Sequence, residues 1–451
     1  MSLMTQLSRL GLFDARVPRY TSYPTAPQFS NNVDAALNRK WIGSVAPGSE
    51  ISLYVHVPFC RHLCWFCACR TQGTQKLDTV RAYLDTLLSE IRQLDAMLPE
   101  GVTLSRLHWG GGTPTMMDAE MIRTLSQAIC AVAPLAPGGE FSVEIDPNEI
   151  DAARMDALAE AGMNRASIGV QDFDPEIQKT IGRIQSYEVT EQAVQLIRAA
   201  GVRSLNADIL YGLPDQTPAR IADSVQKLLS LSPDRVALYG YAHVPWMARR
   251  QSMIPSALLP TPEERLKLFE TARKLFLWDG YMEVGIDHFA RPFDSMAVAQ
   301  REGRLRRNFQ GYTEDPAEVL IGIGASSISR FPQGYAQNAS STSDYTALVR
   351  AGRLPTMRGH AFTGEDKVRA RIIEMLMCDF AFDLAPVLCP DGPGADTVRS
   401  WMAAAAAQFQ GFVTLEGDRF EITRDGRPLA RIVARAFDAY DMSKTGHSTA
   451  V

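Results

Sequence analysis

Four of the seven cysteines fall in one ten-residue window, Cys60-Arg61-His62-Leu63-Cys64-Trp65-Phe66-Cys67-Ala68-Cys69, whereas Cys130, Cys378 and Cys389 stand singly. Soft thiolates crowded on a short loop suit iron–sulfur or zinc chemistry. Three arrangements compete with a reactive metal centre. Spacings of four and three could line Cys60, Cys64 and Cys67 along one face of a buried helix. A structural zinc could take three of them with Cys69 or His62, although two-pair zinc sites usually separate their pairs widely. Disulfides are the third, and a cytosolic chain disfavours them.

The loop follows an apolar run, Ile51 to Val57, that Pro58 interrupts. From there to about residue 242 the pattern strand, loop, helix repeats. Expected strands are Leu53–Val57, Leu104–Trp109, Phe141–Ile145, Arg165–Val170, Ser204–Leu210 and Arg235–Tyr241. Amphipathic stretches such as 77–98, 119–132, 151–161, 189–200 and 218–229 separate them. Apolar strands alternating with such helices imply parallel βαβ units. Periodicity leaves both an open doubly wound sheet and a barrel available. In either, ligands gather at the carboxyl ends of the strands.

Those ends are polar or glycine-rich throughout. After the second strand comes Gly110-Gly111-Gly112-Thr113-Pro114-Thr115; the third closes on Glu144, Asp146 and Pro147, and the fourth on Gln171 and Asp172. The fifth carries Asp208, and the sixth runs into Tyr241-Ala242-His243. Successive glycines let a backbone approach a ligand closely, although the run lacks the spacing of a Walker loop or dinucleotide fingerprint. Asp208 lies in an apolar strand and needs a partner, either a ligand or an internal cation. Ile321-Gly322-Ile323-Gly324 also lacks the residues of a phosphate loop and reads as tight packing. The arginines Arg291, Arg301, Arg304, Arg306 and Arg307 read first as a solvated face, and second as a dock for an acidic substrate.

At 451 residues the chain is long enough for two or three domains, and 46% hydrophobic with 22% charged residues is ordinary for a soluble protein. A net charge of −5 gives no sign of nucleic-acid binding, and no apolar run approaches a bilayer span. The mostly clustered, odd-numbered cysteines point to a reducing, cytoplasmic setting. Four regions are expected: a strap or lid over 1–50, the strand–helix body over 51–362, a small domain over 363–442, and a tail over 443–451. The small domain reads as helices 366–377 and 396–409, a hairpin over 412–422 and a last helix 427–440, an arrangement like a winged helix.

Cys60-x3-Cys64-x2-Cys67 after a strand, with glycines after the next, resembles the radical S-adenosylmethionine enzymes. The resemblance narrows through Arg19-Tyr20-Thr21-Ser22-Tyr23-Pro24, Cys69, the His108–Thr115 run, Gly169–Phe173, Asp208–Pro214, Asp287-His288-Phe289-Ala290 and Asn308-Phe309-Gln310-Gly311-Tyr312. Together these are similar to the oxygen-independent coproporphyrinogen III oxidases (dehydrogenases), over about residues 15 to 440. A haem-carrying paralogue and other haem-handling relatives are the nearest alternatives; the Tyr-rich strap and Cys69 count against the paralogue. A zinc-stapled scaffold would leave the shared ligand face unexplained.

The resemblance implies an incomplete (β/α)6 TIM-like barrel closed by a mostly helical C-terminal domain, one [4Fe–4S] cluster and two S-adenosylmethionine molecules. It assigns Cys60, Cys64 and Cys67 to three irons, leaving the fourth for S-adenosylmethionine. It places Tyr54, Phe66, Gly111, Gly112, Thr113, Glu144, Gln171, Arg183, Asp208, Ala242 and Ile328 at the two S-adenosylmethionines, with Phe309 and Gln310 near the second. Cys69, Tyr54 and Gln310 are the expected catalytic residues. The implied reaction converts two propionates of coproporphyrinogen III to vinyls through a 5′-deoxyadenosyl radical. Flavodoxin or ferredoxin is the expected electron donor, and the chain is expected to be a monomer. The substrate has four carboxylates, so arginines are expected nearby, Arg19 first.

Overall fold

The computed structural model describes residues 3–440; the tail from 443 lies outside them. All six expected strands form: β1 (Glu50–Val57), β2 (Thr103–Gly111), β3 (Leu135–Ile145), β4 (Arg165–Gln171), β5 (Ser204–Tyr211) and β6 (Arg235–Gly240). They lie side by side in sequence order, each parallel to the next. Successive right-handed crossovers in one direction put every connecting helix on the same face of the sheet. An open doubly wound sheet, which reverses its order part-way, is thereby excluded.

A seventh parallel strand, β7 (Leu320–Ile323), pairs with the other edge of β1. The sequence reading took this glycine-spaced segment for tight packing, and six parallel strands were expected rather than seven. Four residues are too few for period two to register, and Gly322 serves a close approach: a Cβ there would stand 2.8 Å from the Ile328 carbonyl oxygen. Antiparallel strands extend both sides, making a twelve-stranded sheet.

Alternation decides which side chains meet the helices. Leu53, Val55, Leu107, Trp109, Phe141, Val143, Ile168, Leu205 and Ile209 point to the covered face and enter one core with the helices. Trp109 and Phe141 meet edge to face at 5.1 Å, a contact worth about 1 kcal/mol beyond its buried area. The helix α1 (Leu77–Asp95) answers with Val80, Tyr83, Leu84, Leu87, Ile91 and Leu94, one stripe at helical spacing. The next helices start on side-chain caps: Asp118 for α2 (Ala119–Val132), Asp151 for α3 (Ala152–Glu160), Ser186 for α4 (Tyr187–Ala199) and Thr217 for α5 (Pro218–Ser230).

A second core joins the two ends of the chain. Leu7, Leu12, Phe13, Val17, Tyr20 and Tyr23 of the N-terminal segment pack with Ile372, Leu376, Phe382, Met402, Phe420 and Phe437. The Tyr20 hydroxyl donates to Asp438 at 2.9 Å, and the Ala439 N–H donates to the Tyr23 hydroxyl at 3.0 Å. The N-terminal segment is therefore bolted to the C-terminal elements by buried side chains. Those elements are helices Gly364–Asp379 and Ala395–Gln408 and a three-stranded sheet, to which Ala381–Asp383 adds a strand beside the hairpin. The expected last helix is shorter than 427–440. Arg424–Leu429 forms a 3-10 turn containing Pro428, and only Ala430–Arg435 is α-helical, because proline removes a donor from the ladder.

Candidate active site

The uncovered face of the sheet is polar. Tyr54 and His56 on β1, His108 on β2, Ser142 and Glu144 on β3, and Asn206 and Asp208 on β5 share it, because each pair is two residues apart. Tyr54 is in register with His108, and their rings stack at 5.7 Å. The Tyr54 hydroxyl lies 3.0 Å from His56 Nδ1, and His56 Nε2 lies 3.2 Å from the Arg70 carbonyl oxygen. Burial lowers the His56 pKa, which keeps the ring neutral at pH 7. Sequence reading assigned no role to His56 or His108; their period-two spacing from Tyr54 and Gly110 was the available signal.

Glu144 accepts from the Gly111 N–H at 2.9 Å and lies 3.3 Å from His108 Nε2. Burial pushes its pKa up, but these partners outweigh it and hold the carboxyl below its ordinary value. The glycine run is built for contact. The Gly112 N–H donates to the Val57 carbonyl at 2.8 Å and the Thr113 N–H to the Phe59 carbonyl at 2.7 Å. A Cβ on Gly112 would stand 2.5 Å from the Phe59 carbonyl oxygen. Gly111 has φ +105°, a conformation few L residues adopt. Gln171 itself sits at φ 68°, a strained setting for a residue with a Cβ.

The cysteine loop is not a helix, which removes the buried-helix alternative. Four anchors hold it against the strand ends. Arg61 pairs with Glu149 at 2.7 Å, and the Trp65 N–H donates to the Ile181 carbonyl at 2.9 Å. Gln251 Nε2 donates to both the Phe66 carbonyl at 2.7 Å and the Ala242 carbonyl at 3.1 Å. Arg250 reaches Thr71 Oγ1 at 3.1 Å. Gln251 and Arg250 were invisible as site-formers, since nothing local marks them.

Arg183 ties the thiols to the sheet. Its Nη1 lies 3.4 Å from Cys64 Sγ and 3.2 Å from Asp146 Oδ2, and its Nη2 donates to the Gly169 carbonyl at 2.8 Å. Its Nε is buried with no partner. Burial raises the Cys60 thiol to about 11 and also raises Cys64. Cys67 moves the other way, chiefly because the Cys69 thiol donates a hydrogen bond to it. The Cys69 N–H also points at Cys67 Sγ, at 3.4 Å.

All seven cysteines are free thiols, so no disulfide forms. Among the described residues, no three His, Cys, Asp or Glu side chains gather tightly enough to grip one ion. A tetrahedral zinc needs its thiolates within roughly 4 Å of one another. Three thiols on one loop, each able to bind a different iron, suit a cluster. With the glycine cradle, the buried Arg183 nitrogen and the polar strand ends, the donor set fits an iron–sulfur cluster and a zwitterionic ligand beside it.

Asp208 accepts from the Asn206 amide at 2.8 Å, and burial raises its carboxyl to about 6. Ile328 opens the antiparallel strand beside β7, next to the strand carrying Tyr54. Phe309 packs edge to face on Tyr335 at 5.3 Å, and exposed Gln310 lies in the turn between Arg306–Asn308 and Gly311–Thr313. No hydrogen bond ties these three to the cysteine loop. The carboxyl ends of β5 and β6 open into a cavity of about 770 Å³ lined by Arg19, Tyr211, Tyr239, Arg265, Arg307 and Arg431, among others. Arg307 corrects the solvated-face reading: it is 8% exposed, because alternation in Arg306–Asn308 turns it inward while Arg306 faces out.

Residues 54–228 match the Radical SAM superfamily, and the chain is a radical S-adenosylmethionine enzyme. It is 64% identical to the oxygen-independent coproporphyrinogen III oxidase of Paracoccus denitrificans, over the full length of both chains. It is 38% identical to that of Escherichia coli, over 94% of this chain and 93% of the other. The solved Escherichia coli coproporphyrinogen III oxidase superposes with a TM-score of 0.89 at 35% identity, covering 95% of this chain and all of that one. The chain belongs to the oxygen-independent coproporphyrinogen III oxidase family.

Proposed function

We propose that the enzyme oxidatively decarboxylates coproporphyrinogen III to protoporphyrinogen IX, turning two propionates into vinyls without oxygen. The observation that carries this reading is the cysteine loop on the same sheet end as a large, arginine-lined cavity. Cys60, Cys64 and Cys67 would hold three irons of a [4Fe–4S] cluster. Tyr54, Phe66, Gly111, Gly112, Thr113, Glu144, Gln171, Arg183, Asp208, Ala242 and Ile328 would bind two S-adenosylmethionines. When bound, these groups would supply one-electron chemistry that takes a hydrogen atom from the propionate β-carbon, after which loss of CO2 and of one further electron to an acceptor leaves the vinyl.

The chain's own residues position and shield that chemistry. Arg183 fixes the Cys64 side of the loop through Asp146 and Gly169. Neutral His56 holds the Tyr54 hydroxyl in place. Cys69, hydrogen-bonded to Cys67, would relay a proton or electron. Gln310, in the turn between Arg306–Asn308 and Gly311–Thr313, would face the second S-adenosylmethionine. The sheet acts as an incomplete (β/α)6 barrel, and the winged-helix-like C-terminal domain with its N-terminal strap excludes water. Flavodoxin or ferredoxin supplies electrons to a cytoplasmic monomer.

The test is anaerobic. The cluster is reconstituted, and dithionite, S-adenosylmethionine and coproporphyrinogen III are added. Protoporphyrinogen should appear with about two 5′-deoxyadenosines per turnover, one for each propionate. Cleavage of S-adenosylmethionine with the tetrapyrrole untouched would transfer the reading to a haem-handling paralogue.

A further inference from the structure

One buried carboxyl group has no part in the chemistry described above. Glu90 lies in the buried stripe of α1 and is 4% exposed. Its partners are all donors. The Gly324 N–H at 2.7 Å and the Tyr345 hydroxyl at 2.6 Å share Oε2, and the Asn338 amide reaches Oε1 at 2.8 Å. Burial pushes its pKa up to about 7, against these hydrogen bonds, and no cation offsets the burial. An ionised carboxyl is costly to bury without one, and an apolar side chain would fill the same place in the stripe at no such cost. Packing alone therefore gives no reason for Glu90. What the carboxylate does is gather donors from three elements: the turn after β7, the strand Gly334–Asn338 and the helix Thr342–Arg350.

The turn is Gly324-Ala325-Ser326-Ser327, at the carboxyl end of β7. Gly324 has φ +96° and stands so close to β1 that a Cβ would lie 2.6 Å from the His56 carbonyl oxygen. Ser326 has φ 62°, a conformation that a residue with a Cβ keeps only where its surroundings hold it. Asn338 Nδ2 donates to the Gly324 carbonyl as well, at 3.1 Å, and Ser327 Oγ donates to it at 2.7 Å. Tyr83 lies two helical turns before Glu90 on the same face of α1 and closes the other side. Its hydroxyl donates to the His56 carbonyl at 3.0 Å and accepts from the Ala325 N–H at 2.8 Å.

The turn joins two parts of the site. In front of it, Gly322 of β7 is in register with Tyr54 of β1; behind it, the chain enters the strand that Ile328 opens. His56, whose backbone Tyr83 holds, lies 3.0 Å from the Tyr54 hydroxyl through its ring. Tyr54 and Ile328 are therefore both placed from the α1 side of the sheet, through backbone that Glu90 and Tyr83 grip.

We propose that Glu90 and Tyr83 are positioning residues, which lock the Gly324–Ser327 turn against the His56 backbone and so set the edge of the S-adenosylmethionine site at Tyr54 and Ile328. The proposal rests on the reading that places S-adenosylmethionine at those two residues. A neutral amide cannot stand in for the carboxylate, because one of its two ends is itself a donor and would face a donor. The large cavity is lined by other residues, so tetrapyrrole binding is independent of this grip.

Two binding measurements on the reconstituted enzyme under argon separate positioning from general support of the fold. S-adenosylmethionine is followed by equilibrium dialysis. Coproporphyrin III, the stable oxidised form carrying the same four propionates, is titrated by fluorescence quenching. Glu90→Gln and Tyr83→Phe should each weaken S-adenosylmethionine binding roughly ten-fold, as leaving buried donors and acceptors unpaired does. Both should leave coproporphyrin III affinity unchanged. In turnover they should raise KM for S-adenosylmethionine more than they lower kcat. Asp85→Asn, on the exposed face of α1, should change none of these.

Wild-type S-adenosylmethionine affinity and KM in both variants would overturn the proposal. So would equal loss of both ligands, which a merely structural role predicts. If Glu90→Gln does not fold, Tyr83→Phe, which removes a single oxygen, decides. Should the variants bind S-adenosylmethionine normally while wild type converts coproporphyrinogen III, the reaction stands without the positioning role. Selective loss of S-adenosylmethionine affinity in the variants, with wild type leaving the tetrapyrrole untouched, would keep the positioning role and overturn the reaction.

Discussion

Two groups of arginines meet the same sheet and are treated in opposite ways. Arg106, Arg165 and Arg235 sit near the amino ends of β2, β4 and β6. Each meets carboxylates: Arg106 lies 2.5 Å from Glu140 and 3.1 Å from Glu314, and Arg235 lies 2.6 Å from Asp294 and 3.3 Å from Glu314. Arg165 Nε is 2.6 Å from Glu140, though not aligned to hydrogen-bond it. At the carboxyl ends, the cavity arginines find carbonyl oxygens and two vacant N–H directions. Arginine is equally basic in both places. What differs is how directly the chain supplies the anion: the amino-end arginines form ion pairs, whereas Asp287 acts on Arg19 and Arg307 with no ion pair among the described residues. Buried charges are retained when paired, and one without its partner is strongly destabilising.

Removing the chemistry should leave the comparison intact. Cys64→Ala should abolish 5′-deoxyadenosine formation and lower bound iron, yet keep coproporphyrin III affinity within two- to three-fold, the ordinary scatter of such effects. Loss of porphyrin binding along with iron would mean that the cavity depends on the cluster. Gly112→Ala should also stop turnover, because its Cβ would stand 2.5 Å from the Phe59 carbonyl oxygen; wild-type kcat in that variant would deny the cradle its tightness.

The paired end should respond through stability. Glu314→Gln leaves three guanidiniums short of a shared anion and should cost about 3–5 kcal/mol in denaturant unfolding. Arg265→Gln, by contrast, removes a charge that no carboxylate compensates and should leave the unfolding midpoint unchanged or slightly higher. Equal destabilisation by both would erase the distinction between the two ends.

A smaller effect sharpens it further. Burial alone would raise Glu314, but Arg235, Arg106 and Arg165 hold it well below the ordinary carboxylate range. Its folded pKa is therefore depressed. The stability it contributes is complete above roughly pH 4.3, the unfolded value, and is lost as pH falls below that. Unfolding free energy measured from pH 6 downward should decline more steeply in wild type than in Glu314→Gln; parallel curves would refute the assignment.

Local rules explain why some of this was readable in advance. The six βαβ strands announce themselves by apolar runs, and capping residues with Pro218 mark helix starts. The cysteine spacing and the glycines after the next strand are contiguous in the chain, so the candidate cluster loop could be read directly. The errors fall where neighbours in space override neighbours in sequence. Arg307 looked like one of a solvated set, yet a three-residue strand turned it inward. β7 was too short to show a period.

Sequence alone determined the kinds of group available: soft thiols in one loop, glycines where a backbone must come close, and polar residues at every parallel strand's carboxyl end. Those are short-range facts, because ligand spacing and turn geometry are set within a few residues. Only the tertiary structure decided which arginines gather at one end of the sheet. Arg19, Arg265, Arg307 and Arg431 come from four separate elements, and each one's partners are chosen by long-range packing. Whether a charge is satisfied depends on what the fold brings within about 4 Å of it, and no local pattern in the chain encodes that distance.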